Sequence, residues 1–486
     1  MGRGSRLARR PPRPVRMAVV ALACGLLPLS SCVADAPPSI GQAIGGDGRA
    51  MVSWVPPVGD NAMTITTYVI TPFIGSVAQT PVMVSQAATS HIVTGLANGT
   101  TYTFVLRGIN GAGAETASSK QSNPVTPTSV RVAAGFAHSC AITNGGSVKC
   151  WGENGNGQLG NGGSVDSPSP VSVTALTGVV ALGAGYAHAC ALVAGGAVKC
   201  WGDNGSGQLG NGDLIDRRTP VPVVGISGAI AIAAGGAHTC AVLAGGAVKC
   251  WGSNYRGQLG NGSTIDARTP VSVAGLSEAV TVSASLGHTC AVLSAGAVGC
   301  WGANYSGALG DGTTVASLVP VAVAGINGAV DVAAGGSYSE ALHTCAVLMS
   351  GAAMCWGSNS DGQLGNGMTS NAPTPAPVPV TGITDATFVT AGDNHTCVVV
   401  GASALRCWGR NVSGQLGNGT SGNASNSPSP VSVVNVNGAS VVTAGDYHTC
   451  AVVEDDGLAC WGYNAAGQLG NGTTVDAPTP VSVSGI

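Results

Sequence analysis

A pair of cysteines recurs seven times along this chain, and the repeat restricts what the chain can fold into. In each copy the first cysteine ends the pattern His-x-Cys, and the second lies ten residues later, directly before Trp-Gly. The first cysteines are separated by 50, 50, 50, 55, 52 and 53 residues. Such a period indicates copies of one small unit that bury their apolar faces against each other. The pairs are Cys140 and Cys150, Cys190 and Cys200, Cys240 and Cys250, Cys290 and Cys300, Cys345 and Cys355, Cys397 and Cys407, and Cys450 and Cys460.

Each copy has the composition of a group of short β-strands. In the first copy, runs of β-forming residues are separated by clusters of Gly, Asn, Asp and Pro. These runs are "VRVAAG", "HSCAIT", "SVKCWG" and "SPVSV". Four strands in about 50 residues, repeated in a ring, are typical of a β-propeller rather than a solenoid. We therefore predict seven blades over residues 128–486, with the ring closed by pairing of strands from its two ends.

The repeated motifs also resemble a known family. "AGxxH-x-C-A-V", "G-x-V-x-C-W-G-x-N-x-x-G-Q-L-G-x-G" and the trailing "T-P-V-x-V" are similar to the repeat of the regulator of chromosome condensation. The resemblance covers all seven copies and implies a seven-bladed propeller. The family's eukaryotic founder acts on a small GTPase and on chromatin, and its secreted bacterial relatives include an inhibitor of β-lactamases. The cysteine pair in every copy departs from the family, so a small GTPase is not an expected partner here.

One glycine motif in the repeat imitates a nucleotide site. Gly155, Gly157 and Gly160 match G-x-G-x-x-G, which binds a pyrophosphate only between a strand and a helix of a βαβ unit. That context is missing, and five of the seven copies replace the first glycine. The motif is therefore a repeat element, and no cofactor is predicted.

The N-terminus is typical of an export signal. Six arginines precede the apolar run "MAVVALACGLLPL", which is too short to span a bilayer. The following "LSSC" resembles the lipobox of bacterial lipoproteins, which implies lipidation of Cys32 after removal of residues 1–31; an ordinary cleavage site nearby is the alternative. We expect an exported protein held at the cell envelope or outer surface by a lipid anchor, or otherwise secreted.

A second domain is predicted between this signal and the propeller. Residues 37–127 resemble a fibronectin type III domain, with Leu96 and Tyr102 at the positions of the family's turn and tyrosine corner. The predicted fold class is therefore all-β, with an immunoglobulin-like β-sandwich before a seven-bladed propeller. The sandwich serves either as a spacer from the membrane or as an adhesive domain.

The paired cysteines have two interpretations. The ten-residue spacing places each pair across a hairpin, where a disulfide forms readily in an exported protein. His138 lies on the same face as Cys140, so a zinc site is the alternative. We predict seven disulfides and no metal.

Charge and the histidine pattern exclude other functions. Without residues 1–31 the chain has 13 Lys and Arg against 22 Asp and Glu, a formal charge of −9, so nucleic acid is not an expected partner. A general base needs one special histidine with an orienting partner. Seven equivalent histidines indicate structural hydrogen bonds, and we predict a non-enzyme.

Function is expected where the copies differ. The loop before each His-x-Cys and the loop after each Cys-Trp-Gly lie at the same end of an antiparallel hairpin. Aromatic residues and arginine are typical anchors of a protein interface. We predict a surface-anchored module that binds a protein or cell-surface ligand; neutral variation of these loops, inhibition of a secreted enzyme and glycan binding are the alternatives. The predicted binding residues are Phe136, Tyr186, Tyr255, Arg256, Tyr305, Tyr338 and Tyr447.

Overall fold

The computed structural model describes most of the chain beyond the N-terminal segment. The described residues are 37–46, 49–57, 65–85, 88–97, 100–125, 127, 132–143, 146–336, 341–401, 403–453 and 457–486. The predicted signal, Cys32 and Tyr338 lie outside them. Among the described residues no helix is long and apolar enough to cross a membrane.

The N-terminal part is a β-sandwich. One sheet has the order β1-β2-β6, and the other has β4-β3-β5 with β7 paired to β3. Residues alternate between buried and half-exposed along β7, as expected of a strand with one face on a core. The strands are β1 (Ser39–Gly46), β2 (Arg49–Val55), β3 (Ile65–Ile74), β4 (Val77–Ala78), β5 (Val82–Ser85), β6 (Ser90–Thr94) and β7 (Thr103–Asn110).

The predicted tyrosine corner is present in this sandwich. The hydroxyl of Tyr102 accepts a hydrogen bond from the backbone N–H of Ala97 at 3.0 Å. Tyr102 also pairs with Val125 as an isolated bridge. Trp54 and Tyr68 pack in the same core, with ring centroids 5.1 Å apart.

From Val132 onward the described residues form seven four-stranded sheets, the blades of a propeller. Blade 1 contains β8 (Val132–Ala134), β9 (His138–Thr143), β10 (Ser147–Gly152) and β11 (Ser167–Ser172). Blades 2 and 3 contain β12 (Val179–Ala184), β13 (His188–Val193), β14 (Ala197–Gly202), β15 (Arg217–Pro222), β16 (Ala229–Ala234), β17 (His238–Leu243), β18 (Val248–Gly252) and β19 (Ala267–Ser272). Blades 4 and 5 contain β20 (Ala279–Ala284), β21 (His288–Leu293), β22 (Val298–Gly302), β23 (Ser317–Ala322), β24 (Ala329–Gly335), β25 (His343–Leu348), β26 (Ala353–Asn359) and β27 (Ser370–Pro379). Blades 6 and 7 contain β28 (Ala386–Ala391), β29 (His395–Val400), β30 (Ala404–Gly409), β31 (Ser427–Ser432), β32 (Val441–Ala444), β33 (His448–Val452), β34 (Leu458–Gly462) and β35 (Ala477–Ser482), with a short 3-10 helix at Asn423–Ser425.

The cysteines lie opposite each other on the second and third strands of every blade. In blade 1, Cys140 pairs with Cys150 in the register of β9 and β10. All seven predicted pairs lie at disulfide distance, with Cα atoms 4.0–4.1 Å apart. The sulfurs are buried within the blades, where they add to the apolar core.

The tryptophans join each blade to the one before it. The indole N–H of Trp201 in blade 2 donates to the backbone carbonyl of Gln158 in blade 1 at 2.8 Å, and the ring is fully buried. The same contact closes the ring, because Trp151 of blade 1 donates to the carbonyl of Gln468 in blade 7 at 2.8 Å.

The expected mode of ring closure is wrong. In the described residues each blade consists of four consecutive strands, and the first and last blades exchange none. The ring is closed instead by hydrogen bonds between blades 7 and 1. One is the bond of Trp151 to Gln468, and another runs from the backbone N–H of Gly472 to the carbonyl of Pro168 at 2.9 Å. The physical reason is that the four strands of blade 1 all lie between Val132 and Ser172, so its sheet is complete without a strand from the other end of the propeller.

The propeller has two end faces. The loop face carries the connections from first to second strands and from third to fourth strands, which in blade 1 are residues 135–137 and 153–166. The sandwich face carries the hairpin turns between second and third strands and the connections between blades.

The sandwich packs on the sandwich face at the mouth of the central channel. Arg49 of β2 forms an ion pair with Asp331 of blade 5, with Nη2 and Oδ1 3.3 Å apart, and both side chains are nearly buried. The same guanidinium donates to the carbonyls of Val280 at 3.3 Å and Val330 at 3.4 Å. The backbone N–H of Ile92 donates to the carbonyl of Ser294 at 3.1 Å. The contacts that the described residues of the sandwich make with the propeller all lie on this face, and none reaches the opposite loop face.

Candidate functional site

The two variable loops of each blade meet on the loop face. In blade 1, His138 lies opposite Gly152 in the hairpin register. The residues that precede His138 and the residues that follow Gly152 are therefore neighbours. The backbone N–H of Glu153 donates to the carbonyl of Ala137 at 2.8 Å. All the described residues of the predicted binding set lie in such loops. Their use as a binding surface stays a prediction.

Three of the predicted residues form one cluster, although they come from distant parts of the chain. Phe136 stacks on Tyr186 with ring centroids 4.1 Å apart and an interplanar angle of 28°. Tyr447 approaches Phe136 edge-on at 6.4 Å. Ring closure brings blade 7 beside blade 1 and so makes this contact between residues that are more than 300 positions apart.

The other three described residues form a second cluster on blades 3 and 4. The guanidinium carbon of Arg256 lies 5.0 Å from the ring centroid of Tyr255 and 5.7 Å from that of Tyr305. The two tyrosines are 57% and 54% exposed, which makes them the most exposed aromatic side chains described. Cation–π contact orders the arginine between rings that still present most of their surface to solvent.

Beside the first cluster is a cavity of about 490 Å³, the aromatic pocket. Its walls come from blades 1, 6 and 7. The aromatic and charged side chains that line the pocket are Phe136, Glu153, Asp166, Arg410, Tyr447 and Tyr463.

Sequence reasoning missed three of these residues. Glu153, Arg410 and Tyr463 occupy one repeat position, the variable residue of the pattern Trp-Gly-x-Asn. The seven copies differ at this position as much as they do in the two variable loops. The variation at this position is therefore the sequence signal that could have identified the three residues. Tyr463 is 36% exposed and meets Tyr447 edge-on at 6.4 Å. The guanidinium carbon of Arg410 lies 5.6 Å from the ring centroid of Tyr447.

Burial shapes the electrostatics of this region. Partial burial and the nearby carboxylate of Asp166 raise the pKa of Glu153. Burial, together with the charge of Asp393 and a hydrogen bond to it, raises the pKa of Tyr447 far above its usual value. Burial and the charge of Asp393 also raise the pKa of Asp446 well above its ordinary range. The aromatic pocket is therefore bordered by partly desolvated acidic groups.

The repeated histidines lie inside the propeller rather than in a cleft. All seven are fully buried, and burial lowers their pKa values to about 4 for His138 and His238 and to about 3 for the others. They are neutral at physiological pH, and six of them form a hydrogen bond to the neighbouring blade. No group of three or more His, Cys, Asp or Glu with metal-site geometry occurs among the described residues.

Comparison with known proteins agrees with this architecture. The RCC1-like domain profile matches residues 229–486. Profiles of the regulator of chromosome condensation (RCC1) repeat match 130–158 and 179–208, and also 145–192 and 196–242. The fibronectin type III profile matches residues 36–125.

Curated relatives share only part of their length with this chain. The ultraviolet-B receptor UVR8 of Arabidopsis thaliana is 34% identical over 145 residues, which are 29% of this chain and 32% of the receptor. The probable human E3 ubiquitin-protein ligase HERC3 is 32% identical over 146 residues, 29% of this chain and 14% of the ligase.

Solved structures of the same fold cover more of the chain. The Saccharomyces cerevisiae protein Prp20p is 22% identical, with a TM-score of 0.61, over 69% of this chain and 85% of its own. Human WBSCR16 is 21% identical, with a TM-score of 0.60, over 69% of this chain and 92% of its own. Because the RCC1-like profile covers more than half of the residues, and the blades have the same architecture, this chain belongs to the family of RCC1-like propellers and carries a fibronectin type III domain before the propeller.

Proposed function

We propose that this protein is an exported, lipid-anchored and non-catalytic module that binds another protein through the loop face of its propeller. The observation that carries the proposal is the position of the sandwich. It packs on the opposite face through Arg49 and Asp331, so the described sandwich and the loop face lie on opposite sides of the propeller. A lipid on Cys32 would then leave the loop face directed away from the membrane.

The side chains of this face have the character of interface anchors. Tyrosine and arginine are enriched among residues that carry most of the free energy of protein binding. Tyr255 and Tyr305 are more than half exposed, and Arg256 is held between them by cation–π contacts. An ordered cluster loses less side-chain entropy on binding than isolated flexible residues do.

A non-catalytic role is supported by the histidines. A general base must reach its substrate, whereas these imidazoles are fully buried and six of them bond to the neighbouring blade through Nε2.

Affinity capture tests the binding face. The chain from residue 33 is used as bait for envelope and culture-supernatant fractions, alongside the triple variant Tyr255→Ala, Arg256→Ala and Tyr305→Ala. We expect the wild type alone to retain a protein. The matched control is Val77→Ala with Met83→Ala, which removes exposed apolar side chains from the sandwich (63% and 71% exposed) and should retain the same protein. Equal retention by the triple variant contradicts use of this cluster.

Detergent partition tests the anchor separately. The full chain should enter the detergent phase of a phase-separating non-ionic detergent, and Cys32→Ala should move it to the aqueous phase. If the two chains partition identically, the lipid anchor is wrong, although the binding role is unaffected.

A further inference from the structure

A framework hydrogen bond is missing from three of the six blades that carry its glutamine donor, and these three are the blades that form the aromatic pocket. In blades 2, 3 and 5 the residue after Trp-Gly accepts a hydrogen bond from the side-chain amide of the glutamine five positions later. Gln208 donates to Asp203 at 2.7 Å, Gln258 to Ser253 at 3.5 Å and Gln363 to Ser358 at 3.3 Å. In blade 4 both positions are alanine, so neither donor nor acceptor is present.

Blades 1, 6 and 7 keep the glutamine but lack this acceptor contact. The amide nitrogens of Gln158, Gln415 and Gln468 are buried without a hydrogen-bond partner, and each of these residues is fully buried. The acceptor position holds Glu153, Arg410 or Tyr463, and all three line the aromatic pocket. A buried unsatisfied amide is destabilising, so three of them in the blades that form one cavity indicate that Glu153, Arg410 and Tyr463 serve the cavity rather than the framework.

The charge of the cavity indicates what it binds. Glu153 and Asp166 both line it, and within the described residues neither forms an ion pair. Their repulsion contributes to the raised pKa of Glu153. Arg410 also lines the cavity, but its guanidinium carbon lies 5.6 Å from the ring centroid of Tyr447, and among the described residues it forms no ion pair with either carboxylate. A cation placed between the two carboxylates would relieve the repulsion.

The aromatic walls fit the apolar stem of a basic side chain better than a sugar ring. A sugar stacks on an open ring face. Tyr186 covers one face of Phe136 and Arg410 lies over one face of Tyr447, which leaves Tyr463 as the most exposed ring of the pocket. A lysine or arginine stem needs only apolar contact along its length, while its charged end reaches the carboxylates.

We infer that the aromatic pocket receives a lysine or arginine side chain of the protein partner, with Glu153 as the group that binds the cation. This inference rests on the proposed function, because it names the chemistry of the partner residue that enters the loop face. The formal charge of −9 on the chain after residue 31 favours the approach of such a basic partner.

The test uses short peptides and the full chain. Saturation-transfer NMR and calorimetry compare acetyl-Gly-Gly-Lys-Gly-Gly-amide with peptides that carry arginine, norleucine or glutamate in place of lysine. We expect the lysine and arginine peptides to bind at least tenfold more tightly than the norleucine peptide, and this difference to shrink at high salt. Equal binding of the norleucine peptide overturns the inference.

Two variants of Glu153 make the test specific. Glu153→Gln removes the charge and should reduce binding of the lysine peptide to the norleucine level. Glu153→Asp keeps the charge but shortens the side chain to that of Asp203, so its carboxylate should return to the amide of Gln158. We expect this variant to melt at a higher temperature than the wild type and to bind the lysine peptide at least fivefold more weakly. Unchanged binding by both variants contradicts the assignment.

Matched controls separate this inference from the proposed function. Asp203→Asn changes the same repeat position in blade 2, outside the pocket, and should leave peptide binding unaltered. If no basic peptide binds while the loop face still captures a protein, the cation site is wrong and the proposed function stands. If the lysine peptide binds but capture does not depend on the loop face, the proposed function is wrong. Binding of cellotriose or chitotriose with loss of affinity for lysine would instead assign the pocket to glycans.

Discussion

Nε2 of His188 in blade 2 lies 2.9 Å from Oγ1 of Thr239 in blade 3. The threonine hydroxyl donates its hydrogen to the carbonyl of Gln208 at 3.0 Å, so it accepts from the imidazole. A neutral histidine that donates through Nε2 carries no hydrogen on Nδ1, and this sets the tautomer. The contact explains why the histidine recurs along the chain, because its imidazole forms a hydrogen bond from one blade to the next. Equivalent bonds link His238 to Thr289, His288 to Thr344, His343 to Thr396, His395 to Thr449 and His448 to Ser139.

The histidine hydrogen bond that links neighbouring blades is missing between blades 1 and 2, and a substitution that restores it should stabilise the protein. Nε2 of His138 is buried without a partner because Ala189 occupies the position that holds Thr or Ser in the other blades. Ala189→Thr should supply the acceptor and raise the free energy of unfolding by about 1 kcal/mol. Thr239→Ala is the matched reverse change and should lower it by about 1–3 kcal/mol. Denaturant unfolding measures both, and a destabilising Ala189→Thr would contradict this account of the missing hydrogen bond.

Acid should destabilise the propeller through its repeated histidines. The folded-state pKa of each repeated histidine is lowered to about 3 or 4 by burial, whereas an unfolded histidine has a pKa of about 6.5. Between these values the unfolded chain binds protons that the folded chain excludes. The histidines' contribution to stability is therefore fully present above pH about 6.5 and is lost as the pH falls toward 4.

Unfolding near pH 5 should accordingly take up about seven protons, one for each repeated histidine. The free energy of unfolding, obtained from denaturant titrations at pH 7, 6 and 5, gives this number from its slope against pH. A midpoint that is constant over this range would show that the histidines are accessible to protons in the folded state.

Removal of Arg49 should release the sandwich from the propeller. Asp331 is buried, and although burial raises its pKa, the charge of Arg49 acts in the opposite direction. Loss of one partner of a buried ion pair costs about 3–5 kcal/mol. Arg49→Ala should therefore increase the maximum dimension in small-angle X-ray scattering. The control Arg107→Ala breaks an exposed ion pair with Glu115 within the sandwich and should leave the maximum dimension unchanged. If both variants change the maximum dimension equally, Arg49 does not specifically hold the sandwich on the propeller.

Each disulfide should contribute separately to stability. Cys190 and Cys200 close a loop of ten residues inside one hairpin. On the chain-entropy model, the double change Cys190→Ala and Cys200→Ala should lower the free energy of unfolding by about 2–3 kcal/mol, apart from lost packing. Guanidinium unfolding under non-reducing conditions checks the value. Because the other six pairs remain, the variant should still give the circular dichroism spectrum of the wild type, and loss of that spectrum would contradict independent blades.

Local features of the blades were predictable because they repeat. A two-residue period and a Gly-rich turn place Cys140 opposite Cys150, and the same register places both variable loops at one end. The contacts between the loops were not predictable in the same way. Phe136 and Tyr447 meet only after the ring has closed, and Glu153 appears as a pocket residue only when Arg410 and Tyr463 are beside it.

The repeat by itself determined the all-β class, the seven blades and the pairing of the cysteines, since each depends on interactions within about 50 residues. Tertiary structure alone decided how the ring closes, which variable side chains share a cavity, and which face the sandwich covers. These outcomes depend on contacts between segments hundreds of residues apart, such as Arg49 with Asp331. Nothing in the local pattern encodes such contacts, because they form only when the ring of blades has closed and the sandwich has packed on it.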